Sequence, residues 1–321
     1  MKQISVEITQ KCPNRCLHCS SLADRYCVSK IETDQVKKII DSAVRLHTEI
    51  LSISGGEPFL HTDLTEIVAY AKAKGLGVYI YTCGVVFNDA GETGSIPEEM
   101  LHELNAIAAD RIIFDVPAIN EDVYDKFMGS IGHQEFAFES IRAAHRAGLC
   151  TEIHFVPTKI NLGEVENVIH FAQELGISQV SFLGLVPHGR AEQNKDKLVL
   201  SEEENRALKE KLARMTNQQI RIGIPLQLEE NDYCCYAGRN KLCIRYDGLV
   251  FGCEAFKYIQ LCDDQGCPVK PDSVYDMSLE DIYANSTYLK LEREFVVQYL
   301  SGGCCGEKCP VQRMLRSKPV A

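Results

Sequence analysis

The stretch Thr9-Gln10-Lys11-Cys12-Pro13-Asn14-Arg15-Cys16-Leu17-His18-Cys19 sets three cysteines at C-x3-C-x2-C directly behind the alternating run Ile4-Ser5-Val6-Glu7-Ile8. That run reads as a strand, so the cysteines fall in the loop at its carboxyl end. Three thiolates this close cannot all be buried unpaired, and a soft metal centre is the economical explanation. A structural zinc would want a fourth ligand, and His18 is poorly placed to chelate together with its neighbour Cys19. An iron-sulfur cubane held by three thiolates leaves one iron open for a substrate or cofactor.

Downstream, short apolar runs alternate with amphipathic stretches. Residues 4–9, 49–54, 77–81, 111–116, 150–156, 179–185 and 219–224 read as strands. Residues 34–46, 64–74, 131–147, 162–175 and 201–215 read as helices between them. Repeated strand-helix units predict an α/β fold with a parallel sheet, doubly wound or curved toward a barrel. The site is then expected where the loops gather at the carboxyl ends of the strands. The polar stretch 192–197 reads as a loop. From Gln227 the pattern changes to short pieces, with Asp247-Gly248 between two alternating runs predicting a hairpin, and helices are expected near 279–283 and 288–299.

The chain has 321 residues with 45 % hydrophobic and 25 % charged side chains, so it folds around a core. A net charge of −11 argues against nucleic acid or an anionic membrane as the main partner. The start has no secretory signal pattern and no run is apolar for long enough to span a membrane, which predicts a cytoplasmic protein. Thiols stay reduced there, so 15 cysteines point to metal or redox chemistry rather than disulfides. Nine of them lie between Cys234 and Cys309, which divides the chain at 1–229 and 230–321.

C-x3-C-x2-C after the first strand, followed by Ser54-Gly55-Gly56-Glu57-Pro58 after the second, resembles the radical S-adenosylmethionine (SAM) superfamily. The resemblance implies a partial (β/α)6 barrel over 1–229 whose 4Fe-4S cluster is ligated by Cys12, Cys16 and Cys19. SAM would chelate the open iron and be cleaved reductively to a 5′-deoxyadenosyl radical. Gly55 and Gly56 would let backbone approach its methionyl end, Glu57 would accept from its ammonium, and His18 would lie beside the adenine. Thr82-Cys83-Gly84 resembles the Thr-Asn-Gly often found after the third strand. Asp115, Asn161 and Arg190 fall where the family contacts ribose or carboxylate; the plainer readings are a strand-end cap, an Asx turn and a solvated charge.

The second group, Cys235 and Cys253 around the hairpin with Cys305 and Cys309 in the tail, resembles the SPASM auxiliary-cluster domain or its shortened twitch form. It implies one auxiliary 4Fe-4S cluster on Cys235, Cys253, Cys309 and Cys305 or Cys304. Cys234, left over, is a candidate hydrogen-atom donor. Cys262 and Cys267 have no counterpart in the resemblance, and Cys27, Cys83, Cys150 and Cys243 read as packing residues. His154 and His188 are acid-base candidates, more plainly structural.

Enzymes of this kind modify ribosomally made peptides by cross-linking, thioether formation or epimerisation, which is the favoured reading. The alternatives are a small-molecule dehydrogenase or epimerase acting on a sugar, aminoglycoside or nucleoside, and a non-enzymatic zinc-rich scaffold. The implied partners are the substrate, reduced flavodoxin or ferredoxin as electron donor, and a separate leader-peptide-binding protein.

Overall fold

The computed structural model describes residues 1–88, 90–215, 219–227, 235–301 and 309–317. Strands β1 (Gln3–Thr9), β2 (Ile50–Gly55) and β3 (Gly77–Thr82) lead into a small hairpin, β4 (Val85–Phe87) and β5 (Thr93–Ser95). They are followed by β6 (Arg111–Asp115), β7 (Thr151–Phe155), β8 (Gln179–Phe182) and β9 (Ile220–Ile222). Helices α1 (Thr33–Arg45), α2 (Leu64–Ala73), α3 (Glu98–Ala106), α4 (Glu121–Met128), α5 (Gln134–Arg146) and α6 (Val165–Glu174) fill the connections. All seven expected main-sheet strands are present; α3, α4 and the small hairpin were not read from the sequence. Residues 190–198, read partly as loop, instead form two single-turn helices, because Ala191 and Leu198 are buried and pin the turns to the body.

The main sheet runs β11-β10-β1-β2-β3-β6-β7-β8-β9, where β10 (Lys241–Ile244) and β11 (Val250–Phe251) are the hairpin expected around Asp247-Gly248. Every pairing is parallel except β10 with β11. Parallel strands in near-sequential order are those of a barrel, since a doubly wound sheet reverses its order at a switch point. Among the described residues the two edges, β9 and β11, are not joined, so the barrel is partial. β10 pairs with β1 through Gln3↔Lys241 to Val6↔Ile244, so the cysteine-rich region is tied to the barrel by backbone.

Alternation along the strands sorts two surfaces. Ile4, Val6, Ile8, Leu51, Ile53, Val78, Ile80, Phe114, Ile153, Phe155, Val180 and Phe182 are buried in one large apolar core beneath the helices. Their neighbours Ser5, Glu7, Ser52, Tyr79, Tyr81, Glu152, His154, Ser181, Arg221 and Lys241 take the other face. In register, Ser5 lies beside Ser52 and Ser52 beside Tyr79, while Asp115 lies beside His154 and His154 beside Ser181. The barrel therefore has an apolar outside and a polar lumen. A parallel sheet used only as scaffold is apolar on both faces.

Glu152 is the most heavily engaged lumen carboxylate. It accepts from Arg111 Nη1 at 2.8 Å and Ser181 Oγ at 2.5 Å, with His154 Nε2 at 3.5 Å and Arg221 Nε at 4.0 Å. Burial alone would raise its pKa, but hydrogen bonds from His154, Ser181 and Arg111 outweigh it and bring the group down to about 2. A carboxylate held below its unfolded value adds stability above the usual carboxylate range and loses it as pH falls toward that depressed value. Glu152→Gln should therefore be less stable than wild type at pH 7 and converge on it as the pH falls toward 2, as followed by thermal denaturation. A constant gap across that window would refute the assignment.

Candidate active site

The cysteine loop is assembled by backbone bonds to elements far away in sequence. Cys12 N–H donates to Asp24 O at 3.0 Å, Arg15 N–H to Met128 O at 3.0 Å and Leu17 N–H to Phe127 O at 2.9 Å. From β2, Gly56 N–H donates to Thr9 O at 2.6 Å and Glu57 N–H to Lys11 O at 2.8 Å. A Cβ on Gly55 would fall inside the Thr9 carbonyl, and one on Gly56 inside the carbonyls of Lys11 and Gln10. What crowds the two glycines is thus the cysteine loop itself. Gly55 also has φ +138°, a conformation that side chains resist.

Cys12 is buried and Cys16 and Cys19 are half-buried; all three are free thiols. Burial, then the neighbouring Cys12 and Cys19, pushes the Cys16 thiol well up, so the three sulfurs share one local field. Among the described residues no three His, Cys, Asp or Glu side chains stand at ligand separation. The chemistry of the donor set nevertheless fits an iron-sulfur centre: three soft sulfurs on one loop whose negative charges repel until a cationic centre joins them.

Glu57 is fully buried and accepts from Thr82 Oγ1 at 2.7 Å and Phe59 N at 3.2 Å on Oε1, and from Cys83 N at 2.8 Å on Oε2. Burial pushes its pKa up against these bonds. The Cys83 thiol also hydrogen-bonds this carboxylate, so its acceptor positions, about four in all, are engaged by Thr82, Phe59 and Cys83. Thr82 also accepts from Gly84 N at 2.9 Å, which fixes the turn after β3. His18 tilts against Phe127 with ring centroids 4.6 Å apart, its Nε2 is 3.4 Å from Asp115 Oδ2, and its Nδ1 is buried without a partner. Glu57, Thr82, His18 and Asp115 thus stand at the strand ends around the cysteine loop, and His18 keeps a buried ring nitrogen without a partner.

Two predicted contacts are used differently. The Asn161 amide accepts from Thr158 N at 2.7 Å and Thr158 Oγ1 at 2.9 Å, and donates to Pro117 O at 3.0 Å and Val156 O at 3.1 Å. It ties two strand-end loops together, with all four of its amide positions engaged by the protein. Arg190 is buried rather than solvated, donating to Cys16 O at 2.9 Å and Ala23 O at 2.8 Å, while its N–H donates to Cys19 O at 3.0 Å. It clamps the cysteine loop with one N–H from each terminal guanidinium nitrogen.

In the second group, Cys235, Cys253 and Cys309 pack against one apolar cluster. Burial first, then Glu254, Cys309 and Cys235, pushes the Cys253 thiol well up, which places these three sulfurs near one another. Cys234, Cys304 and Cys305 lie outside the described residues. Cys262 and Cys267 are exposed. Cys83 and Cys243 are buried as expected, but Cys150 is exposed at the start of β7. Cys83 is more than packing: hydrogen bonding to Cys12 is the foremost cause raising its thiol, so it belongs to the cysteine site.

Sequence reasoning missed Lys257. Its side chain has no exposed surface, and its Nζ is 2.5 Å from Glu7 Oε1, 2.8 Å from Ser20 Oγ and 3.4 Å from Ser21 Oγ. An ammonium from beyond the hairpin thus neutralises a lumen carboxylate of β1 and grips the two residues after Cys19. Beside it, His188 is held neutral, its pKa brought down to about 3 by burial and then by Lys257, and its ring meets Tyr258 edge-on at 5.7 Å. The polar alternation Ser5, Glu7, Ser52 and Tyr79, Tyr81 was the signal that could have revealed this lumen.

Residues 6–172 match the model of the radical SAM superfamily, and the chain belongs to that superfamily. It is 28 % identical to the AdoMet-dependent heme synthase of Methanosarcina barkeri over 192 residues, 60 % of this chain and 52 % of that protein. It is also 28 % identical to the PqqA peptide cyclase of Ruegeria pomeroyi over 266 residues, 79 % of this chain and 67 % of that protein. The chain spans about half the length of the first curated relatives it matches. Among solved structures, SuiB of Streptococcus suis bound to S-adenosylmethionine superposes with a TM-score of 0.73 at 16 % identity, covering 96 % of this chain and 75 % of that one. The likeness shows a shared fold. No helix among the described residues is long and apolar enough to cross a membrane.

Removing one partner of a buried ion pair leaves the other charge uncompensated, at a cost of about 3–5 kcal/mol. Lys257→Met should lose about that much in urea denaturation, and adding Glu7→Gln should recover a large part of it. Additive losses in the double variant would show that the two side chains are not coupled.

Proposed function

We propose that the protein is a radical SAM enzyme that abstracts hydrogen from a ribosomally made peptide, leading to a cross-link, thioether or epimerised residue. The observation that carries the reading is the polar lumen opening onto the cysteine loop, in a chain similar to PqqA peptide cyclase over 79 % of its length. SuiB, whose fold it shares, has also been solved bound to the precursor peptide SuiA. When loaded, an iron-sulfur cluster on Cys12, Cys16 and Cys19 supplies the electron that cleaves SAM reductively. The chain's own residues bind and orient. The Glu57 carboxylate takes the SAM ammonium in place of the Cys83 thiol, and Asp115 and His18 flank its nucleoside end. Arg190 and Lys257 hold the loop, and the lumen side chains of β1, β3 and β7 present hydrogen bonds to the substrate. Cys235, Cys253 and Cys309 fit an auxiliary cluster, with a fourth ligand from Cys304 or Cys305, and Cys234 remains a candidate hydrogen donor. The partners of this reading are a reduced flavodoxin or ferredoxin and a separate leader-binding protein.

A second reading takes a small-molecule substrate, a class the sequence already offered; the similarity to AdoMet-dependent heme synthase favours it. The two separate by isotope transfer. With SAM, dithionite and a fully deuterated candidate peptide, deuterium should appear in 5′-deoxyadenosine. Cys12→Ala, Cys16→Ala and Cys19→Ala in one chain should abolish 5′-deoxyadenosine altogether. Label arriving only from a deuterated small molecule would move the assignment to the second reading, and unchanged cleavage by the triple variant would remove the cysteine site from the chemistry.

A further inference from the structure

The loop that carries the three cysteines is charged unlike the rest of the chain. Between Thr9 and Ile31 it holds Lys11, Arg15, Arg25 and Lys30 against Asp24 alone, in a chain of net charge −11. Among the described residues many other cations are paired, as in Lys72 with Asp110, Arg142 with Glu135 and Arg146 with Glu98. Lys30 has Glu32 at 3.0 Å. Among the described residues Lys11, Arg15 and Arg25 form no ion pair with a carboxylate.

These three cations are gathered on one face. Lys11 and Arg25 approach the same ring, Phe87 of the β4–β5 hairpin, at 5.5 and 5.3 Å. Arg15 is fastened by its N–H to Met128 O, which sets it beside the turn at Gly129 to Ile131. His133 joins the two ends of the face, with its Nδ1 2.6 Å from Asn14 Oδ1 and its protonation opposed by burial first and by Arg25 as well. The loops of this face also carry the three most exposed large apolar side chains among the described residues: Tyr26 at 83 %, Val28 at 88 % and Ile131 at 90 %. Exposed apolar side chains carried on the same loops as unpaired cations are the composition of a docking surface, not of a solvated face.

We propose that this face docks a small acidic electron-carrier protein with a flavin or iron-sulfur centre. The assignment rests on the radical SAM reading above. Its location decides for a carrier over an acidic peptide: Lys11 and Arg15 immediately precede Cys12 and Cys16, while the lumen offers a substrate its polar contacts. One electron leaves the carrier and enters the centre held by the three cysteines; the carrier is oxidised, the centre reduced, and no bond is made or broken. Electron-transfer encounters are small and weak, and opposite charge raises their association rate.

The test compares two donors on the reconstituted full chain by stopped-flow absorbance: flavodoxin hydroquinone, and photoreduced deazariboflavin as a small uncharged donor. Lys11→Glu, Arg15→Glu and Arg25→Glu in one chain should slow reduction by flavodoxin about tenfold or more and leave reduction by deazariboflavin unchanged. In the wild type, only the flavodoxin rate should fall steeply with added salt, and Tyr26→Ser with Ile131→Ser should raise the flavodoxin concentration needed for half-maximal rate. Equal rates with flavodoxin in wild type and charge variant would overturn the proposal, as would equal slowing with both donors, which would locate the effect in the loop. Normal reduction coupled with lost peptide turnover would overturn it in favour of a substrate site. A wild type reduced by neither donor would overturn the underlying reading instead.

Discussion

Two backbone hydrogen bonds hold the active face together: Gly56 N–H to Thr9 O and Glu57 N–H to Lys11 O. They lay the end of β2 across the root of the cysteine loop so closely that neither Gly55 nor Gly56 has room for a Cβ. From this contact the remaining geometry follows in order. Glu57, held at its backbone, turns its carboxylate inward to Thr82 and the Cys83 N–H, and so fixes the turn after β3. That turn puts the Cys83 thiol against Cys12. A Gly-Gly-Glu run is thus a splice between three consecutive strand ends, with its carboxylate held by the turn after β3.

Burying a charged residue is costly unless it is paired and hydrogen-bonded, yet the lumen carries Glu7, Glu152, Lys241 and Lys257. Each is paired: Glu7 with Lys257, Glu152 with Arg111, and Lys241 with Glu254 at 2.7 Å. Replacing such pairs by apolar side chains is often neutral or stabilising, so stability does not account for them. A lumen kept polar at this cost is suited to a polar substrate. It also explains why several polar atoms near the loop, Glu7 Oε2, His188 Nδ1 and His18 Nδ1, are buried without partners.

Much of the scaffold was legible because parallel strands announce themselves twice, by period-two alternation and by the helix that must follow each crossover. All seven strands were read this way, and Asp247-Gly248 revealed the hairpin. Helix α3 escaped because it is short and follows the β4–β5 hairpin, where local pattern is weak, and α4 because it spans only eight residues after β6. At the site, C-x3-C-x2-C and Gly-Gly-Glu were readable since their chemistry lies in residue type and spacing. For Arg190 and Asn161 two readings stayed open, because a polar residue in a strand-end loop looks the same whether it meets a ligand or the backbone of a neighbouring loop. Only the acceptors, Cys16 O and Ala23 O for the first and Pro117 O and Val156 O for the second, tell the cases apart.

Lys257 shows why the two halves of the chain cannot be treated as separate machines. β10 extends the barrel sheet at β1, and a few residues beyond the hairpin Lys257 reaches back to Glu7, Ser20 and Ser21. Arg190 grips the same loop at Cys16 and Ala23. The loop bearing the first cysteines is therefore held on one side by a residue after β8 and on another by a residue of the cysteine-rich region. Any movement of that region relative to the barrel must either break a fully buried ion pair or carry the loop with it. Mechanical coupling of this kind requires no cluster in the second region. It makes the geometry around Cys19 depend on a segment more than two hundred residues away, and Lys257 contributes by position rather than by touching a reacting atom.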